Sequence, residues 1–126
     1  MDRFRAEAFL PLTPVAFEIL LALADGERHG YSIMREVARR SSGAVTLHPG
    51  TLYRALARLL ESGWIDELDE RPDAANDDER RRYYRLTERG IAVARAEAER
   101  LAGQLAAARS RKLLGPFDGA QGRARA

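Results

Sequence analysis

A chain of 126 residues with 45% hydrophobic content supports one domain and an appended element, and it excludes global disorder. The formal net charge is only +2 although 32% of residues are charged, so local clusters, not the overall balance, indicate a polyanionic partner. With no cysteine there are no disulfides, thiolate zinc sites or thiol nucleophiles, and no apolar run approaches the roughly 20 residues that cross a bilayer; a soluble, cytoplasmic protein is the expectation.

Residues 1–12 form an N-terminal segment whose Phe4, Phe9 and Leu10 either dock on a partner subunit or fray. Thr13-Pro14 is a helix start, with Thr as cap and Pro at the first helical position. The run Val15 to Ala24 is apolar nearly all round, which predicts a central buried helix ending at Asp25-Gly26. His29-Gly30-Tyr31-Ser32 opens a second helix to about Arg40, with Ile33, Met34, Val37 and Ala38 inside and Arg35, Glu36, Arg39 and Arg40 outside. Ser41-Ser42-Gly43 breaks the chain, and Pro49 starts a third helix. There Leu52, Leu56, Leu59 and Leu60 share one face at the helical period, and Thr51, Arg54, Ala55 and Arg58 share the other.

Ser62-Gly63 caps that helix, and Trp64-Ile65 leads a strand. Residues 68–79 are polar and acidic and read as a wing loop, with Asp73, Asp77, Asp78 and Glu79 offsetting nearby arginines. Tyr83 to Leu86 is the returning strand; its two tyrosines point to opposite faces, so only one is core. Thr87 caps a long helix in which Ile91, Ala94, Ala98, Leu101, Leu105 and Ala108 recur at alternating spacings of three and four. Such a stripe on a lone helix calls for a partner, the simplest being a second copy of the chain. Gly115-Pro116 stops the helix, and residues 115–126 read as a disordered basic tail. The fold class is mostly α with a small two-stranded β wing: a winged helix-turn-helix over residues 13–86, then a dimerisation helix over 87–114.

The chain resembles the PadR family of bacterial transcriptional regulators. His29-Gly30-Tyr31-Ser32-Ile33 matches the family's HGYxI opening of helix two, and Pro49 to Leu59 matches its PGTLYxALxRL run. Ser62-Gly63-Trp64-Ile65 is similar to its xxGLI turn, and Arg82-Tyr83-Tyr84-Arg85-Leu86-Thr87 with Gly90 matches RxYYxLTxxG. The set covers roughly residues 13–113 in order. The resemblance implies a homodimeric repressor with one C-terminal helix, reading a pseudo-palindromic stretch of double-stranded DNA, and small-molecule sensing near the dimer interface. Candidate effector contacts are Phe4, Phe9, Ile91 and Leu101.

On the third helix, Thr51, Arg54, Ala55 and Arg58 are the expected groove-facing residues, since guanidinium forks suit guanine edges; an ordinary solvated helix face is the alternative. His48 and the backbone at Gly50 are placed to hold a phosphate at the helix start, or are plain turn residues. Tyr53 is expected to be half-buried with its hydroxyl reaching a phosphate. Tyr31 is expected to touch the backbone, and His29 to be a cap. Arg80, Arg81 and Arg82 are expected to clamp phosphates, the alternative being neutralisation by the acidic wing. Trp64 is read as a core anchor before a pocket wall. No nucleophile–base pair, Gly-rich phosphate loop or metal spacing is present in the sequence, so no enzyme, cofactor or metal is expected. The competing reading is a winged-helix protein-interaction module without DNA binding, supported by the acidic wing.

Overall fold

The computed structural model describes residues 4–68 and 82–115. The expected wing loop with its acidic residues, Arg80, Arg81 and almost all of the expected basic tail lie outside the described residues. A 3-10 turn (Ala6–Phe9) is followed by α1 (Pro14–Leu23), β1 (Arg28–His29), α2 (Gly30–Arg40), α3 (Pro49–Ser62), β2 (Ile65–Leu68), β3 (Tyr83–Leu86) and α4 (Glu88–Ser110).

Helix ends fall where local capping chemistry puts them. The Thr13 hydroxyl accepts the Ala16 amide at 3.1 Å, with Pro14 at the first helical position. His29 Nδ1 accepts the Ser32 amide at 3.2 Å and caps α2. α3 ends at Gly63, whose φ of 80° is the left-handed conformation that glycine adopts without a Cβ clash. The apolar α1 sits in the middle, touching α2, α3, α4 and β3. Its Ile19 and Leu20 pack with Ile33 and Val37 of α2, Leu52 and Leu56 of α3, Ile65 of β2 and Val93 of α4 in one buried cluster.

The sheet is antiparallel in the order β1-β3-β2. β2 and β3 pair from Ile65↔Leu86 to Leu68↔Tyr83. Tyr84 is buried and Tyr83 half-buried, as strand alternation requires. The sequence pattern suggests two strands; the structure adds β1, which pairs Arg28↔Tyr84 and His29↔Tyr83 on the far edge of β3. Two residues are too few to show alternation, and His29 reads locally only as a cap.

One joint connects α3 to α4. The Thr87 hydroxyl donates to the Gly63 carbonyl at 2.7 Å and accepts the Gly90 amide at 3.1 Å. The Thr87 amide donates to the Trp64 carbonyl at 3.0 Å. Gly90 lies so close that a Cβ there would stand 2.0 Å from the Trp64 carbonyl oxygen.

Residues 4–12 pack on their own chain. The 3-10 turn lies against α4, Phe4 stacks on Phe9 at 5.7 Å, and Phe9 meets Trp64 edge-on at 5.4 Å. The Arg89 guanidinium covers the Phe4 ring at 4.7 Å. Glu97, 2% exposed, takes a bidentate grip from Arg100 at 2.8 and 2.7 Å and also accepts the Leu12 amide. The Arg100 hydrogen bonds hold the Glu97 carboxyl below its ordinary range, against the opposing pull of burial.

Gly90→Ala should destabilise the fold by at least about 1–3 kcal/mol in urea unfolding, because the obstacle is backbone and cannot rotate away. Glu97→Gln should cost about 1–3 kcal/mol at neutral pH. Since folding depresses the Glu97 pKa, its contribution is complete above the unfolded value near 4.5 and disappears as pH falls through the folded value. Urea midpoints of the native chain should therefore hold steady from neutrality to that value and fall below it, with a shallower fall in the variant.

Candidate nucleic-acid interface

The outward side of α3 is set by what its inward side buries. With Leu52, Leu56 and Leu59 in the core, Tyr53, Arg54, Ala57 and Arg58 face solvent. The structure departs from the expected face at two positions. Thr51 is half-buried at its margin, and Ala55 packs against the core. The apolar arc of α3 is wider than its leucine stripe alone suggests. Arg54 and Arg58 are one turn apart, and neither has a carboxylate partner among the described residues. The Arg54 guanidinium leans back toward the helix start, 3.5 Å from where a Gly50 side chain would begin. His48 is exposed beside it and makes no side-chain capping bond.

Tyr53, expected to be half-buried with its hydroxyl turned to a phosphate, is instead 49% exposed, and its hydroxyl rests on the first turn of α2: a Cβ at Gly30 would stand 2.3 Å from it. A glycine there lets α3 approach α2 closely. Tyr84 lies behind. Burial pushes its phenol up, Glu67 and Tyr53 add to this, and the charge of Arg82, with a hydrogen bond from it, opposes it. Arg82 also pairs with Glu67 at 3.4 Å, so it is anchored at the root of the wing while its side chain stays 67% exposed. Its partner is on β2; the acidic residues expected to neutralise it lie outside the described residues.

A line of flat groups runs from the sheet onto α2. His29 meets Tyr83 edge-on at 5.3 Å and lies parallel to Tyr31 at 6.5 Å, and the Arg35 guanidinium lies over the Tyr31 ring at 5.7 Å. Tyr31 is 59% exposed. Sequence reasoning missed Arg28, which binds the end of α1 to α2. It donates to the Ala22 carbonyl at 2.8 Å and to the Ser32 hydroxyl at 3.0 Å, and it pairs with Asp25 and Glu36. Glu36 is also gripped by Arg39, whose hydrogen bonds are the main reason its carboxyl is held low. Nothing in a lone arginine between polar neighbours signals such a hub.

The six expected dimerisation residues divide. Ile91, Ala98 and Leu105, spaced by seven, are exposed; Ala94 packs on the chain's own core, and Leu101 and Ala108 are half-buried. Of the expected effector residues, Phe4 stacks on Phe9, and Phe9 meets Trp64, which is a core anchor at 7% exposure. Ile91 and Leu101 stand about 15 Å apart along α4, so one chain does not gather the four around one point. Among the described residues no acidic, His or Cys group could hold a metal, and no helix is long and apolar enough to cross a membrane.

Residues 19–96 match the family described as transcriptional regulator PadR-like. The chain is 37% identical over 84 residues to an uncharacterized 37.1 kDa protein in transposon TN4556 of Streptomyces fradiae, covering 67% of this chain and 22% of that protein. It thus spans well under two thirds of that relative. It is similar in structure to a transcriptional regulator from Clostridium thermocellum, at 28% identity and a TM-score of 0.63, covering 80% of this chain and 90% of the other. It also shares its fold with Bacillus subtilis PadR, solved in complex with operator DNA, at 21% identity and a TM-score of 0.58, covering 72% and 48% of the two chains.

Proposed function

This chain belongs to the PadR-like family of transcriptional regulators, and from that premise we propose that it is a repressor that binds a pseudo-palindromic DNA operator as a homodimer. The observation that carries this is the pair Arg54 and Arg58: two guanidinium groups one helical turn apart, exposed, with no carboxylate partner among the described residues. The opposite face of the same helix is fixed in the core. A rigid helix presenting unspent forks is suited to enter a major groove and hold guanine edges. His48, Tyr31 and Arg82 flank it where phosphates would run, with Gly50 and Thr51 at the helix start. Arg80 and Arg81 extend the same basic run in sequence. The Bacillus subtilis neighbour, solved on operator DNA, supports the same use of the fold.

Dimerisation is supported by Ile91, Ala98 and Leu105, an uncovered apolar row on a 23-residue helix that is about 34 Å long. Ala94, Leu101 and Ala108 border that row. A small-molecule effector would act by preferring one arrangement of the two subunits, with Phe4, Phe9, Ile91 and Leu101 as candidate contacts once two chains meet.

Selecting bound fragments from genomic DNA with purified protein should recover a two-fold symmetric site. The double variant Arg54→Glu with Arg58→Glu should lose at least about a hundredfold in affinity for it, with stability within about 0.5 kcal/mol of the native chain because both side chains are exposed. Retained affinity would contradict the proposal and point to the protein-interaction module.

A further inference from the structure

We propose that Tyr83, His29, Tyr31 and Arg35 form one line of ring contacts that holds the Arg35 guanidinium as an additional phosphate clamp, outside the groove that α3 occupies. The inference rests on the DNA-binding reading and adds a contact on α2 to it.

The geometry begins with helix direction. Side chains on an α-helix lean toward its N-terminus, so a residue covers the one four positions before it. Arg35 reaches back in this way over Tyr31, with its guanidinium carbon 5.7 Å from the ring centroid. Tyr31 in turn lies parallel to the His29 ring at 6.5 Å, and His29 meets Tyr83 edge-on at 5.3 Å. His29 is also fixed by its cap bond from the Ser32 amide and by the β1–β3 ladder. The line of contacts therefore starts in the sheet at the root of the wing and ends in a cation.

That cation remains available. A guanidinium over a ring meets no hydrogen-bond acceptor there, so its N–H groups can still donate, which is how arginine can rest on an aromatic ring and grip a phosphate at once. The other arginines on this side of the molecule differ. Arg28 is bound to Ala22, Ser32, Asp25 and Glu36, and Arg39 is bound bidentately to Glu36. Arg35 is exposed and has no carboxylate partner among the described residues. Its place is set relative to α3 as well, because the Tyr53 hydroxyl rests on Gly30, the residue beside Tyr31. The clamp thus lies at the end of α2 on which Tyr53 of α3 rests. A phosphate contact there carries no base information; it fixes the angle at which the reading helix enters. In this unit His29 is a positioning residue and Arg35 the contact.

The test is duplex binding by the full chain, read by fluorescence anisotropy on a random-sequence duplex over a series of salt concentrations. Arg35→Gln should weaken binding about threefold to tenfold and reduce the slope of log affinity against log salt by about one. Arg39→Gln removes the same charge from the same helix and should leave the slope unchanged. His29→Asn keeps a capping side chain but removes the ring; it should reproduce part of the Arg35→Gln loss, and the double variant should be no weaker than Arg35→Gln alone. An unchanged slope in Arg35→Gln, an equal drop in Arg39→Gln, or fully additive losses for His29→Asn and Arg35→Gln would overturn the clamp while leaving DNA binding intact. A native chain that binds no duplex even at low salt would overturn the functional reading itself.

Discussion

The joint between Gly63-Trp64 and Thr87-Gly90 constrains everything else in this molecule. Two hydrogen bonds and one glycine contact tie the exit of α3 to the start of α4, and the Thr87 hydroxyl that makes one of them also caps α4. Each bond is worth only about 0.5–1.5 kcal/mol net. Their effect is geometric: two peptide groups serve both helices, so neither helix can change direction alone. The helix that presents Arg54 and Arg58 is thereby held at a fixed angle to the helix that carries the uncovered row Ile91, Ala98 and Leu105. Pairing through α4 would set the spacing of two α3 helices without further machinery, and an effector that rotates α4 would move them.

The N-terminal segment reinforces this joint from outside. Phe9 covers Trp64, Phe4 sits under Arg89 in the first turn of α4, and the Leu12 amide ends on the buried Glu97. The segment and the joint thus share Trp64 and the first half of α4. The line from Tyr83 through His29 and Tyr31 to Arg35 links the wing root to α2. Both devices use flat rings as spacers with few rotatable bonds, which order at low entropic cost.

Much of this was legible in the sequence because helix punctuation is local. Thr13-Pro14, Gly63 and Thr87 each announce a boundary through their own backbone chemistry, and the leucine stripe of α3 fixes its inner face. What was not legible depends on chain segments far apart in sequence. β1 exists only because β3 offers it an edge. Gly90 resembles any helical glycine until the Trp64 carbonyl is seen against it. Glu97 falls in a run of small and charged residues that signals a solvated face, yet Arg100 and the Leu12 amide make its burial tolerable. Ala55, expected on the outer face, turned inward because neighbouring helices cover more of α3 than its leucines do.

The absence of cysteine permits a direct test of the central claim. A single Ala57→Cys on the exposed side of α3 can carry a spin label, and pulsed dipolar spectroscopy then reports the distance between two reading helices in solution. A fixed joint and pairing through α4 predict one narrow distribution centred near a turn of duplex, about 34–36 Å. No dipolar signal, or a broad distribution with no preferred separation, would contradict the account.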